Sequence, residues 1–238
     1  MEQGVFPIHQ QEFSAMEAYM LSFSGDAAHD AGHIYRVLGT ALTLADSEPE
    51  TDLDILVAAC LLHDVGRQEE LKNGTDHALT GGDMAYDFLL SLGWESQRAQ
   101  WVRRCIQSHR YRNELIPDTI EAKILFDADK LDAAGPIGVA RTIQFGVTLG
   151  DAEPLYRLDK QGRILTGAEG EPSFFQEYDR KLRHVPDMML TQRGRELACE
   201  LQQSANRFYD ALLGQLRDSL ELGQNKLEQL GLRIGGGT

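Results

Sequence analysis

The sequence predicts an all-α fold, and two observations support that prediction. Apolar residues recur three or four positions apart along almost the whole chain, as they do on the buried face of a helix. Strict alternation of apolar and polar residues, which would indicate half-buried strands, is scarce. With 238 residues, the chain is long enough for one large domain with a substantial core. We therefore expect a compact helical bundle.

The apolar spacing predicts helices at residues 13–24, 27–45, 52–64, 79–92, 95–109, 118–133 and 191–222. The third stretch is nearly all apolar, which indicates a helix at the centre of the bundle. Gly93 and the pair Gly135-Pro136 stand where the fourth and sixth stretches stop, as helix-ending residues do. The last stretch is a long amphipathic helix.

The sequence predicts a single helical domain over residues 1–222. Residues 150–173 are rich in glycine, proline and acidic residues, so we expect a surface loop insertion with a hairpin near Asp159–Gly162. Residues 223–238, which end in GGGT, are expected to form a partly disordered tail.

Composition and charge narrow the classes of function. The net charge of −14 disfavours a large surface for nucleic acid polymers, because such surfaces neutralise phosphates with Lys and Arg. A small anionic substrate stays open, since a metal ion and a few local cations can reverse the potential inside one cleft.

The sequence also predicts a soluble, cytoplasmic protein with no membrane partner, either a monomer or a homodimer. The longest apolar run, 55–62, is too short to cross a bilayer, and the N-terminus lacks the features of a signal peptide. The three cysteines are odd in number and widely spaced, which indicates reduced thiols rather than a disulfide framework.

Imidazoles and carboxylates recur beside the apolar faces of separate helices. They are His33, His63, Asp64, His77, His109, Asp127, Asp129 and Asp132. A buried ionisable group costs free energy unless it is paired or ligates a metal. Several His and Asp side chains from different helices are typical of a divalent-metal site. Taken singly, each histidine reads as a satisfied core residue, and a carboxylate at a helix start reads as a cap. Their joint occurrence favours the metal site.

Three segments resemble a known family: HIYRV at 33–37, LLHDVGR at 61–67 and FDADKLDAAG at 126–135. Their order, His, then His-Asp, then a distant Asp, resembles the HD superfamily of metal-dependent phosphohydrolases. The chain is further similar to a bacterial branch of small stand-alone proteins that includes nucleotide pyrophosphohydrolases. The similarity covers roughly residues 15–220. The helical bundle would then be an HD domain.

The resemblance implies a divalent metal ion, with Mn2+ expected first and Mg2+, Fe2+, Ni2+ or Co2+ as alternatives. The ligands it implies are His33, His63, Asp64 and Asp129. Some superfamily members place ligands for a second ion where His77 and His109 fall. The alternatives are a role for His77 at a helix entry and for His109 at a helix C-terminus.

Two other aspartates of the DADKLDA stretch have separate expectations. Asp132 falls one turn after Asp129 on nearly the same helix face, so it could orient a water on the metal or serve as the base. Asp127 points about 160° away from Asp129 and is expected to be solvated or to cap a helix.

A divalent ion lowers the pKa of a bound water and stabilises charge at phosphorus, so we expect a metal-activated water as the nucleophile. The catalytic residues expected are Asp64, Asp132 and Lys130. Phosphoryl chemistry also needs cations near the substrate. The substrate-binding residues expected are Arg67, Lys130, Arg110 and His29.

Three functions are compatible with these residues. The favoured one is a metal-dependent phosphohydrolase acting on a nucleotide or related small phosphate. The bond cleaved stays open between the terminal phosphate, the α–β link and a phosphodiester. An HD-type di-iron oxygenase would need two redox metals and the full set of histidines. A non-enzymatic nucleotide-binding regulatory module would bind nucleotide without turnover, and the intact ligand set disfavours it.

Overall fold

The computed structural model describes residues 8–23, 31–110, 115–148, 154–159, 161–167 and 171–232. Within these residues the fold is all-α, as the sequence predicts, apart from one isolated antiparallel bridge. The chain divides into two compact units, residues 1–132 with 188–196 and residues 133–187 with 197–238. A single domain over residues 1–222 stays a prediction.

The first unit holds the helices from the N-terminal half of the chain. They are α1 (Gln10–Phe23), α2 (Ala31–Ala45), α3 (Leu53–Leu62), α4 (Arg67–Asn73), α5 (His77–Ser91), α6 (Ser96–Ser108), α7 (Ile120–Leu131) and the start of α11 (Gln192–Gln229). Apart from α4, each corresponds to a helix that the sequence predicts, with ends shifted by a few residues.

Helix α3 lies at the centre of the first unit, in contact with α1, α2, α5, α6 and α7. Its N-terminus is capped by Asp52, whose side chain accepts hydrogen bonds from the backbone N–H groups of Asp54 and Ile55. Seven of its ten residues are buried, which confirms the predicted central position. Because α3 ends inside the core, His63 and Asp64, which directly follow it, are buried there.

A close backbone approach brings the start of α5 against the turn after Asp64. A Cβ on Gly66 would lie 2.3 Å from the carbonyl oxygen of His77 and 2.6 Å from the backbone nitrogen of Gly81. No other residue type leaves that space open. Glycine at position 66 therefore allows His77 to reach the same region of the core as Asp64.

Asp127 caps a helix that it does not belong to. It is fully buried and accepts hydrogen bonds from the backbone N–H groups of Leu190 and Thr191, each at 2.8 Å. The Thr191 hydroxyl also donates to Asp127, at 2.7 Å, and accepts from the N–H of Gly194. These bonds satisfy donors at the start of α11. The capping role of Asp127 is confirmed and the solvated alternative is wrong.

The second unit is built around an aromatic core. It holds α8 (Gly135–Thr148), α9 (Phe174–Arg180), a 3₁₀ turn (Leu182–His184), most of α10 (Val185–Met188) and α11 beyond Glu196. The sequence does not predict α8, α9 or α10. The rings of Tyr178 and Tyr209 stack with centroids 4.2 Å apart and join α9 to α11.

The segment 150–173 contains the predicted hairpin. Leu158 bridges to Ile164, and Gly162 takes the left-handed conformation, with φ at 76°, that the turn requires. Most described side chains of the segment are exposed or half-exposed, whereas Ile164 belongs to the buried core of the second unit. The segment is therefore not wholly a surface loop.

Helix α11 extends beyond the predicted end near residue 222 and reaches Gln229. Gly231, with φ at 73°, then ends it, and the N–H of Leu232 bonds back to the carbonyl of Leu227. The predicted tail at 223–238 is thus helical as far as Gln229, and residues 233–238 lie outside the described residues. No described helix combines the length and apolar character needed to cross a bilayer.

Candidate metal centre

Four histidines and one aspartate meet inside the first unit. His33 lies in the first turn of α2, His63 and Asp64 directly follow α3, His77 opens α5 and His109 directly follows α6. All five are buried, with exposed fractions between 0% and 8%. The sequence predicts six residues as metal ligands. The structure brings five of them together, and each of the five lies at the end of a helix or directly after it.

Asp64 lies in the middle of this group, with one oxygen facing each pair of histidines. Its Oδ2 is 3.7 Å from the Nε2 atoms of His33 and His63. Its Oδ1 is 3.2 Å from Nε2 of His77 and 3.9 Å from Nε2 of His109. The group thus forms two ligand sets that share Asp64, and the ligand atoms of each set lie within 4.8 Å of one another. We call them the first set (His33, His63, Asp64) and the second set (Asp64, His77, His109).

Two of the imidazoles are oriented by backbone carbonyls. His63 and His109 stand at helix C-termini, where the last carbonyl groups have no intrahelical partner. Their Nδ1 atoms lie 2.8 Å from the carbonyl oxygen of Cys60 and 2.6 Å from that of Ile106. A proton on Nδ1 that is donated to these carbonyls leaves Nε2 of each ring as a lone-pair donor on the side of Asp64.

The other two imidazoles are oriented by carboxylates. His33 Nδ1 lies 2.7 Å from Asp132, and His77 Nδ1 lies 2.5 Å from Glu70. A carboxylate on the far nitrogen of a ligating histidine fixes the ring and makes it a stronger ligand.

The protonation states around Asp64 favour a bound cation. Burial lowers the pKa of His63 and lowers the pKa of His109 to about 3, so both rings are neutral. Burial alone would raise the pKa of Asp64, but the neighbouring His77 and Arg67 outweigh it and hold that pKa well below its usual range. The buried carboxylate of Asp64 therefore lies beside the two neutral imidazoles of His63 and His109.

Three buried polar atoms of the centre have no hydrogen-bond partner among the described residues: His63 Nε2, His77 Nε2 and Asp64 Oδ2. Such atoms are costly in a protein interior. All three belong to residues of the two ligand sets. A divalent ion would satisfy them, so the residues present fit the metal that the sequence predicts.

Asp129, the sixth predicted ligand, lies at the edge of the group. Its Oδ1 is 3.5 Å from Nε2 of His33, and its Oδ2 accepts a hydrogen bond from Lys130 at 2.9 Å. One oxygen of Asp129 therefore faces the first set, while the predicted catalytic and substrate-binding lysine holds the other.

Asp132 lies behind His33, on the side of Nδ1. Besides its contact with that nitrogen, it accepts two hydrogen bonds from Arg36, at 2.7 and 3.1 Å. This geometry favours orientation of His33 over the alternative role as a catalytic base. Arg36 is absent from the predicted site, although its position one turn after His33 in HIYRV was an available signal.

Two predicted substrate-binding residues, Arg67 and Arg110, share a partner that the sequence did not indicate. Arg67 donates to Asp64 and to Glu70, both at 3.2 Å. Arg110 donates to the other oxygen of Glu70 at 2.9 Å. Both arginines therefore lie next to residues that hold the ligand sets. His29 lies outside the described residues.

The fold and the site together define a class of protein: an all-helical protein whose buried His and Asp side chains can hold a divalent ion. Comparison with known families agrees with this class. The HD domain family matches residues 30–134. The protein YpgQ of Bacillus subtilis (strain 168) is 33% identical over 178 residues, which are 73% of this chain and 78% of YpgQ. This chain belongs to the HD domain family.

Solved structures share the fold. The crystal structure of Bacillus subtilis YpgQ in complex with ADP has a TM-score of 0.65 at 27% identity, over 85% of this chain and 93% of that one. A predicted HD superfamily hydrolase from an uncultured Thermotogales bacterium has a TM-score of 0.60 at 26% identity, over 88% and 94% of the two chains. An HD superfamily hydrolase from Bacillus thuringiensis has a TM-score of 0.67 at 25% identity, over 87% and 98%.

Proposed function

We propose that this protein is a metal-dependent phosphohydrolase in which water cleaves a phosphate bond of a nucleotide. The observation that carries the proposal is the pair of ligand sets around Asp64, with their buried, unpaired nitrogen and oxygen atoms. Membership of the HD domain family supports a metal-dependent hydrolase in general. The structure of YpgQ with ADP supports a nucleotide as the substrate. Cleavage of the α–β link with release of pyrophosphate is the reaction to test first.

The residues proposed to hold the first ion are His33, His63, Asp64 and Asp129. Those proposed for a second ion are the second oxygen of Asp64 with His77 and His109. Mixed imidazole and carboxylate ligands suit Mn2+, which is our first choice, with Mg2+, Fe2+, Ni2+ and Co2+ as alternatives. When bound, such an ion lowers the pKa of water and neutralises charge that develops on a phosphate.

The charges of the centre suit an anionic substrate once an ion is present. Among the described residues, four carboxylates of the centre contact four cations, with Arg67 shared between Asp64 and Glu70. The pairs are Asp64 with Arg67, Glu70 with Arg110, Asp129 with Lys130 and Asp132 with Arg36. These charges cancel, so a divalent ion gives the centre a positive charge inside a protein of net charge −14.

Arg67 and Lys130 are proposed to bind the substrate phosphates. Their side chains are 28% and 25% exposed, so their donors can be reached from solvent. Each contacts a proposed ligand, Asp64 or Asp129, and this contact supports a role beside an ion-bound phosphate. Arg110 is more deeply buried against Glu70 and is the next candidate.

The test is a screen of the metal-stripped protein after reloading with single ions. Nucleoside mono-, di- and triphosphates are supplied as substrates, and phosphate and pyrophosphate are measured separately. We expect turnover that depends on the divalent ion. Nucleotide binding without product under every ion would support a regulatory module instead, and oxygen consumption with iron would support an oxygenase.

Replacement of Asp64 tests the centre itself. Asp64→Asn keeps the volume of the side chain but removes its charge and one ligand oxygen, so we predict loss of both metal binding and turnover. Circular dichroism should still report a helical protein. The matched control is Asp83→Asn, which removes an exposed carboxylate paired with Arg103. Full activity in metal-free Asp64→Asn would contradict the proposal.

A further inference from the structure

We infer that Glu70 is the positioning residue that enables the second set, Asp64, His77 and His109, to hold an ion. The inference rests on the proposed function, because it concerns the second ion of the same centre. Glu70 lies on α4, a helix that supplies none of the ligands. Its role follows from the way the four histidines are oriented.

The acceptor available to Nδ1 of each histidine depends on which end of a helix the histidine occupies. The last turn of a helix leaves carbonyl oxygens unpaired, whereas the first turn leaves N–H donors unpaired. His63 and His109 follow helices and use the carbonyl oxygen three residues back. His77 opens α5, where the backbone offers donors and no acceptor, so a proton on its Nδ1 needs an acceptor from another element. Nη1 of Arg110 also lies 3.0 Å from this nitrogen but can only donate, which leaves the carboxylate of Glu70 as the acceptor.

The first set supports this rule. His33 lies in the first turn of α2, and its Nδ1 also contacts a carboxylate from another element, that of Asp132. At His77 the carboxylate is Glu70, 2.5 Å from Nδ1. Both histidines at helix N-termini thus have a carboxylate partner, and both at helix C-termini have a carbonyl partner. In this centre the end of the helix that a histidine occupies therefore determines which kind of partner its Nδ1 contacts.

Glu70 is itself fixed by two arginines. Arg67 donates to Oε2 at 3.2 Å and Arg110 donates to Oε1 at 2.9 Å. Both contacts are ion pairs, and they fix the carboxylate of Glu70 beside Nδ1 of His77.

The orientation that Glu70 gives the ring places the opposite nitrogen at the metal position. Nε2 of His77 lies 3.2 Å from Oδ1 of Asp64 and has no hydrogen-bond partner in the part of the chain that the structure describes. The ring itself is fully buried. Without Glu70, the ring could rotate to give its Nδ1–H another acceptor. That rotation would move Nε2 away from this position, and the second ion would lose a ligand.

The neighbouring residue Glu69 is a matched control. It has the same side chain and lies on the same helix, but it is 37% exposed and pairs with Lys72 and Asn73. Glu69→Ala therefore makes the same change of charge and helix composition without touching His77.

The experiment is calorimetric titration of the metal-free full-length protein with Mn2+. We expect the wild type to bind two ions and Glu70→Ala to bind the second about 10- to 100-fold more weakly, with the first affinity within about twofold of wild type. Glu70→Gln should fall between them, because its amide oxygen still accepts from Nδ1 but carries no charge. Glu69→Ala should match the wild type, and the thermal midpoint of the metal-free protein should be similar in all.

Three results would overturn the inference. The first is an unchanged second affinity in Glu70→Ala. The second is an equal loss of both affinities together with a lower thermal midpoint in Glu70→Ala and Glu70→Gln, which would make Glu70 a general structural residue. The third is a wild type that saturates at one ion, which removes the second ion of the proposed function as well. Turnover is not part of the readout, so failure of the proposed hydrolysis is detected separately by the nucleotide screen.

Discussion

His33 holds a proton at neutral pH when no ion is bound. Burial alone would lower its pKa, but its contacts with Asp129 and Asp132 outweigh burial and raise the pKa to about 9. The unfolded chain has an ordinary histidine pKa of about 6.5. The contribution of His33 to the stability of the metal-free protein is therefore complete below about pH 6.5 and is lost as the pH rises through about 9.

Metal binding should show the opposite dependence on pH, because an ion needs the lone pair of Nε2 and must displace this proton. We predict that the affinity for Mn2+ rises by up to about tenfold per pH unit between about pH 6.5 and about pH 8.5. Calorimetric titration in two buffers of different ionisation enthalpy should detect the release of about one proton at pH 7.5. Binding without proton release would contradict the protonated state of His33.

At the scale of single residues, the sequence predicts some residues of the site and not others. The sequence predicts His33, His63, Asp64 and Asp129 as ligands because their motifs occur in the order typical of the family on apolar helices. Glu70 gave no signal, because it follows Glu69 in a polar helix where acidic residues are ordinary. The property that separates the two, contact with a histidine seven residues away, exists only in the folded chain.

Among the helices, the predictions are confirmed where buried apolar residues recur at helical spacing in the sequence. Helix α3 is apolar on every face and α11 repeats apolar residues over many turns, so both are found. Helix α4, RQEELKN, buries none of its side chains and has no such pattern. Helix α8 begins at Gly135-Pro136, which reads as a stop for α7 but equally suits a helix start, because proline is tolerated in the first turn.

The contact of α5 with the turn after Asp64 gives a prediction at the scale of helices. Gly66 has an ordinary helical conformation, with φ at −78°, so alanine there meets no backbone conflict but would clash with the carbonyl of His77 and with Gly81. We predict that Gly66→Ala lowers the free energy of unfolding by about 1–3 kcal/mol and weakens binding of the second ion. Urea unfolding and Mn2+ titration measure the two effects.

The control for that prediction is another helical glycine. A Cβ on Gly39, in α2, would meet nothing within 4 Å, so Gly39→Ala should leave stability unchanged or raise it by up to about 1 kcal/mol. Equal stability of Gly66→Ala and wild type would mean that α5 can move away from the turn without cost.

At the scale of the whole molecule, the net charge of −14 opposes the approach of any anion. The charge of the metal centre differs from that of the whole protein, because the centre's own charges cancel and a bound ion adds two positive charges. Overall charge could be read from the sequence, whereas the pairing of these carboxylates with cations could not, since two of the four pairs join residues far apart in the chain. Nucleotide binding should therefore depend on a few local cations rather than on the surface as a whole.

This dependence can be measured with three substitutions that change the net charge equally. Arg67→Gln and Lys130→Gln each remove a cation beside a proposed ligand, whereas Arg104→Gln removes one from an exposed pair with Asp118. Loss of one charged hydrogen bond to phosphate costs about 1.5–3 kcal/mol, so the first two should lower kcat/KM for a nucleotide about ten- to a hundredfold at saturating Mn2+. Metal affinity should change much less, and Arg104→Gln should match the wild type. Equal losses in all three would assign the effect to the overall field, and unchanged kinetics in Arg67→Gln and Lys130→Gln would move the phosphate-binding role towards Arg110.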